Sequence, residues 1–192
     1  MERQVCRRNS QSAGAGLKTQ TLFLKGPLLI EPEEFHDDRG FFAYSFDKLK
    51  FEKLGLLGQI AQSNISFNAS KGTLRGMHFK VAPSAQPKLV RCTAGGIYDV
   101  IIDLRPDSPT HRQWFGADLT AANHRALYIP IGFAHGFQTL EDNSEVLYDM
   151  FEWYDPKTAR GVRFADPQFA IRWPLEISKI SARDLTYPDY LE

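Results

Sequence analysis

The sequence carries no surplus of charge: 23 Lys and Arg balance 23 Asp and Glu over 192 residues, for a formal net charge of zero with the five His neutral. Nucleic-acid binding draws on excess cations that displace counterions from phosphates, so the balance argues against such a partner. Cysteine is scarce. Cys6 and Cys92 stand far apart and are too few for a disulfide framework or a thiolate zinc site, which fits a reducing compartment. No apolar run approaches the roughly 18 residues that a membrane helix needs. Residues 1–20 contain Arg3, Arg7 and Arg8 but lack the apolar core of a secretory signal. A cytoplasmic location with no membrane partner is the expectation. The pattern H-x-H, which supplies two metal ligands to many small β-barrels, is absent, so neither a metal nor another cofactor is expected. Gly95-Gly96 lacks a third glycine and is followed by IYDVIIDLR rather than a helix, which excludes a dinucleotide-binding loop.

What is present has the texture of an ordinary folded domain, at 43% hydrophobic and 24% charged residues. The length suits one core. Residues 1–20 are polar and small and read as a flexible N-terminal arm, leaving 21–192 as a single domain. From Thr21 onward short β-branched and aromatic runs alternate with Gly, Pro, Asn and Asp, the mark of an antiparallel sandwich or barrel. Strands are predicted at 28–31, 41–46, 60–67, 73–81, 88–93, 97–104, 114–119, 126–129, 136–140 and 146–153. Gly95-Gly96 reads as a hairpin turn between two of them. One short helix is predicted at 47–57, capped by Asp47, with Leu49, Phe51, Leu54 and Leu57 near helical spacing.

The histidines divide by setting. His36, His111 and His124 lie among polar turn-formers and read as solvated. His78, in TLRGMHFK, and His135, in GFAHGF, sit in apolar, glycine-punctuated strands, where a polar ring must find partners. Each is either a hydrogen-bonded core residue or a catalytic one. Arg75 and Lys88 also fall within strands, pointing either to water or to an anionic ligand. Strict alternation would put Arg75 and His78 on opposite faces; sharing a pocket requires a bulge, for which Gly76 is suited. Tyr148 and Tyr154 share parity and should face the same way if their strand stays regular.

The motifs DDRGFF (37–42), QSNIS (62–66), LRGMHF (74–79), AQPKLVR (85–91), IYDVIIDLRPDSPT (97–110), YIPIGFAHGF (128–137) and LYDMFEWYDP (147–156) occur in the order seen in one family. Together they resemble the dTDP-4-dehydrorhamnose 3,5-epimerases. The resemblance implies an all-β, cupin-type jelly-roll β-sandwich with one or two short peripheral helices, usually a homodimer whose subunits complete each other's sheet and pocket. It also implies a cofactor-independent isomerase that inverts C3, C5 or both in a nucleoside-diphosphate 4-keto-6-deoxyhexose through an enolate. By that resemblance His78 is the base, oriented by Asp184; Lys88 stabilises the enolate oxygen; and Tyr148 returns the proton from the other face. Such inversion needs an acid and a base on opposite faces, and these residue types suit those tasks. Arg39, Gln62, Asn64, Arg75, His135, Tyr154 and Arg183 match substrate-binding positions. The chain departs from the family pattern at Tyr44, Ser63, Lys80, Asp149 and Ala159, among binding or supporting positions, while the base, acid and oxyanion positions survive. Two other readings stay open: a sugar-nucleotide-binding jelly roll without turnover, and a metal-dependent cupin enzyme.

Overall fold

The structure is a computed structural model in which residues 10–12, 17–83 and 87–191 are described. In chain order the strands are β1 (Ser10–Ser12), β2 (Leu17–Thr21), β3 (Leu28–Pro32), β4 (Glu34–Asp37), β5 (Gly40–Ala43), β6 (Gln62–Asn68), β7 (Thr73–Lys80), β8 (Lys88–Ala94), β9 (Gly96–Asp103), β10 (Trp114–Thr120), β11 (Ala126–Ile129), β12 (Phe133–Thr139), β13 (Ser144–Met150), β14 (Ala159–Gly161) and β15 (Lys179–Ile180). Two short helices, α1 (Lys48–Lys53) and α2 (Ala182–Leu185), interrupt them. A seven-stranded sheet runs β1-β2-β3-β11-β8-β13-β6 and faces a second sheet ordered β10-β9-β12-β7-β14, with β15 added parallel to β7. The hairpin β4-β5 stands apart from both. The fold is the expected all-β jelly-roll sandwich with two short helices. Among the described residues no helix is long and apolar enough to cross a membrane.

Period-2 patterning builds three apolar layers. Val90, Cys92, Ile97, Ile101, Leu127, Phe133, Phe137 and Val146 meet between the sheets. Their alternates serve the outer faces. Leu89, Ala126 and Tyr128 pack under α1, whereas Val100, Ile102 and Ala134 pack under the C-terminal segment with Val162 and Phe169. Asp47 caps α1 by accepting from the Lys50 amide at 3.1 Å, as expected. Only Phe51 of the predicted apolar face is fully buried, beside Phe46 and Phe151; Leu49 is 67% exposed. Burying the Phe51 ring contributes about 2 kcal/mol.

Two expectations need correction. The arm does not extend to residue 20. Leu17 and Thr19 are buried and β2 pairs along β3, because Leu17 supplies an apolar side chain to the layer under α1. The rest of that expectation, at 1–9 and 13–16, lies outside the described residues. Nor is Gly95-Gly96 a hairpin turn. The strands on either side belong to different sheets, so the glycines form a corner between layers. Gly95 has φ +68°, and a Cβ there would lie 2.6 Å from the Ser144 hydroxyl.

Candidate active site

Strand β7 carries the first half of the site. Its pairing with β12 is regular at His78 opposite His135, then shifts, so that Arg75 comes to lie opposite Phe137. Three steps on β7 thus match two on β12, which is a bulge at Gly76-Met77. Gly76 adopts φ +126° and passes so close to β12 that a Cβ would sit 2.6 Å from the Gly136 Cα; only glycine fits. The bulge frees the Gly76 amide to donate to Asp184 Oδ2 at 3.2 Å. It also brings Arg75 and His78 to the edge of one depression, which Asp184, Lys179, Ser181 and Arg183 border as well.

His78 Nε2 lies 2.7 Å from Asp184 Oδ1. Asp184 is buried in α2, whose N-cap Ser181 accepts from the Asp184 amide at 3.0 Å. Burial opposes ionisation of this carboxyl. The His78 ring, the Gly76 amide and Ser181 outweigh that, and hold it below the ordinary carboxylate range. An ionised Asp184 accepts the Nε2 proton, which leaves Nδ1 as the basic nitrogen of a neutral ring.

The second half comes from the opposite sheet. Lys88 opens β8 and Tyr148 lies on β13; with His78, Asn64, Tyr154 and Arg183 they line one cavity of about 340 Å³. Burial pushes the Lys88 ammonium down to about 8, with Lys80 adding to the effect and Asp99 opposing it. Burial, and then the charge of Asp99, raises the Tyr148 phenol far above its usual range, so it stays protonated. Tyr154 faces the same cavity as Tyr148, but β13 ends at Met150, so the regular strand on which the parity expectation depended does not reach it.

The remaining predicted positions sit elsewhere. Gln62 does not line the cavity; its amide donates to Asn64 Oδ1 at 2.6 Å and orients a residue that does. Arg75 is exposed beside the second depression, with its Nε donating to Asn68 Oδ1 at 2.7 Å. Arg39 projects from the β4-β5 turn and pairs with Asp37, away from both concavities. His135 is buried between the sheets, with Nε2 2.7 Å from Asp99 Oδ1 and its ring edge-on to Tyr148. Burial lowers its pKa despite Asp99, so the imidazole is neutral.

The positions that depart from the family pattern also sort by geometry. Ser63 and Asp149 are register partners on the sheet face turned away from the cavity, and the Ser63 hydroxyl donates to Asp149 at 2.7 Å. Lys80 and Ala159 are register partners at the cavity wall. Sequence reasoning missed Phe79, Phe133, Met150, Arg160 and Tyr187 as further lining residues, and Asp99 as the partner of His135. Parity with Tyr148 would have found Met150. The acid interrupting the apolar run of β9 was the signal for Asp99. Among the described residues no three His, Cys, Asp or Glu side chains converge as metal ligands.

Residues 21–192 match the sequence model of the dTDP-4-dehydrorhamnose 3,5-epimerase family. The chain is 42% identical over 163 residues to the dTDP-4-dehydrorhamnose 3,5-epimerase of Salmonella typhimurium strain LT2, covering 84% of this chain and 88% of that one. Among solved structures it is similar to the dTDP-4-dehydrorhamnose 3,5-epimerase of Bacillus anthracis with TDP and pyrophosphate bound. That match has a TM-score of 0.87, 44% identity, and coverage of 91% and 99% of the two chains. The Legionella pneumophila dTDP-6-deoxy-D-glucose-3,5-epimerase in complex with dTDP-4-keto-L-rhamnose gives a TM-score of 0.85 and 36% identity, covering 90% and 92%.

Proposed function

The chain belongs to the dTDP-4-dehydrorhamnose 3,5-epimerase family, and from that membership we propose that it inverts C3, C5 or both in a dTDP-linked 4-keto-6-deoxyhexose. One observation carries the reading: His78 enters the cavity from one sheet, and Lys88 and Tyr148 enter it from the other. A sugar ring between the layers meets a base on one face and an acid on the opposite face. His78 Nδ1 takes the proton from the carbon beside the ketone, the C–H electron pair forms the enolate C=C bond, and the carbonyl π pair moves onto oxygen. Lys88 donates to that oxyanion. Tyr148 delivers its phenolic proton to the other face of the carbon, then regains one from solvent while His78 releases its own. The substrate therefore exchanges one hydrogen with water for each carbon inverted, with nothing oxidised or reduced. Asp184 holds the tautomer. Asn64, with Gln62 behind it, Tyr154 and Arg183 bind the substrate, Arg75 borders its path, and His135 supports Tyr148 from below.

The test is incubation with dTDP-4-keto-6-deoxyglucose and related sugar nucleotides in heavy water, followed by NMR. Deuterium should appear at C3, C5 or both. Saturable binding without exchange would instead favour the binding-protein reading.

The same reading includes a homodimer. The β4-β5 hairpin exposes Phe35, Phe41 and Phe42, the last at 61%, and the edge strand β6 exposes Ile65 at 67% and Phe67. An apolar edge strand and an aromatic hairpin on one chain call for cover, and a second copy supplies both. It would also give Arg39, remote from its own cavity, a route to the partner's. Sedimentation should give twice the chain mass, and Phe42→Asp should shift it toward the monomer; a monomeric wild-type protein would overturn the assignment.

A further inference from the structure

The chain as a whole is electrically balanced, but its cavity is not. Lys80, Lys88, Arg160 and Arg183 line it, and among the described residues no carboxylate does. Cations that outnumber the carboxylates of a concave surface focus potential there and raise the local concentration of anions. The four do not stand equally. Lys88 belongs to the reacting end, beside Tyr148. Arg160 spends Nη1 on the carbonyls of Lys157 and Ala159, and Arg183 lies over the Tyr187 ring. Lys80 shares the cavity-facing side of β7 with His78, two residues further on, or about 6.6 Å along the strand.

The Lys80 side chain is held in place before any ligand arrives. Its ammonium lies 3.9 Å from the centre of the Tyr154 ring and donates to the Asp155 carbonyl oxygen at 3.1 Å. The Asp155 carboxylate accepts from the Lys157 amide at 2.9 Å and acts on the Lys80 ammonium through its charge. Across the register sits Ala159, whose small side chain lines the same cavity. An ammonium has three donors, and one carbonyl satisfies only one of them. A partly buried cation with donors to spare, on a cavity wall whose described residues include no carboxylate, is matched to an anionic ligand group.

We propose that Lys80 is a substrate-anchoring, specificity-determining residue, whose ammonium binds an oxygen of the diphosphate at the cavity mouth while the sugar reaches inward to His78, Lys88 and Tyr148. The assignment rests on the epimerase reading above and deepens it. In a glycosyl diphosphate the phosphate hangs from C1, which is equally far around the ring from C3 and from C5. An anchor there serves inversion at either carbon.

Full-length protein titrated calorimetrically with dTDP and with thymidine separates this role from packing. Lys80→Met should weaken dTDP about tenfold or more and leave thymidine unchanged, and Lys80→Arg should restore most of the loss. With dTDP-4-keto-6-deoxyglucose, Lys80→Met should raise KM by a similar factor and lower kcat by much less. Unchanged dTDP affinity, or equal losses for dTDP and thymidine, would overturn the proposal, as would a kcat defect at unchanged KM. Absence of exchange by the wild type would defeat the epimerase reading alone, since the dTDP titrations decide Lys80 without turnover.

Discussion

Two histidine–aspartate pairs face each other across adjacent strands, and their contacts are the same length. His78 and His135 are register partners, and each Nε2 lies 2.7 Å from a carboxylate oxygen. Their surroundings differ. The His78 side chain is 44% exposed and opens on the cavity, whereas the His135 side chain is 4% exposed and its Asp99 partner is wholly buried. Asp184 has its second oxygen served by the Gly76 amide; Asp99 Oδ2 is buried with no hydrogen-bond partner among the described residues. Contact distance therefore does not distinguish a base from a buttress. Access to a reacting atom does. The unpartnered oxygen of Asp99 is a local cost that places a negative charge where Lys88 and Tyr148 feel it, favouring the ammonium and disfavouring the phenolate.

The sharpest way to break this comparison is to cut both rings to the same size. His78→Asn should reduce solvent exchange into the ketosugar by about 10²–10⁴-fold, the usual worth of a positioned base, with little change in the unfolding midpoint. His135→Asn should do the reverse. Leaving the buried Asp99 carboxylate without its hydrogen-bond donor costs about 1–3 kcal/mol or more, and for a chain of this size each kcal/mol lowers the melting temperature by about 2–4 °C. Calorimetric melts beside NMR exchange rates measure both. Equal catalytic losses in the two variants would mean that His135 also reaches the substrate.

Much of this arrangement was legible in the sequence. The strand pattern followed from alternation, because period-2 burial is a local property, whereas the jelly-roll class and the candidates His78, Lys88 and Tyr148 came with the resemblance that the order of motifs carries. Even the bulge could be anticipated, since Arg75 and His78 cannot share a depression without one and Gly76 stands between them. What failed was set by long-range packing. The β2 strand exists because β3 offers it an edge, which no local propensity in LKTQT announces. The Gly95 corner looks like a hairpin until the sheets are separated. His135 has the composition of a pocket residue, and only the fold shows that Asp99, 36 positions away, claims its ring.

Lys88 carries the comparison to the opposite sheet. It lines the catalytic cavity but feels the charge of the buried pair, so it should show both kinds of effect at once. Its pKa of about 8 in the folded protein lies below the 10.5 of the unfolded chain. Between those values the unfolded state binds more protons, so this residue costs stability at neutral pH and the cost fades as pH rises through the window. The difference corresponds to about 3 kcal/mol at most, less whatever solvent reaches the ammonium through the cavity. Lys88→Met should therefore raise the melting temperature at pH 7 by a few degrees, with the gain shrinking toward pH 10. The same substitution should lower kcat by about 10²–10³-fold, the worth of one oxyanion donor. In the wild type kcat should fall above about pH 8 as the ammonium is lost. A destabilised Lys88→Met protein would show instead that Asp99 needs the cation, so that the buried pair is a triad with its third member in the active site.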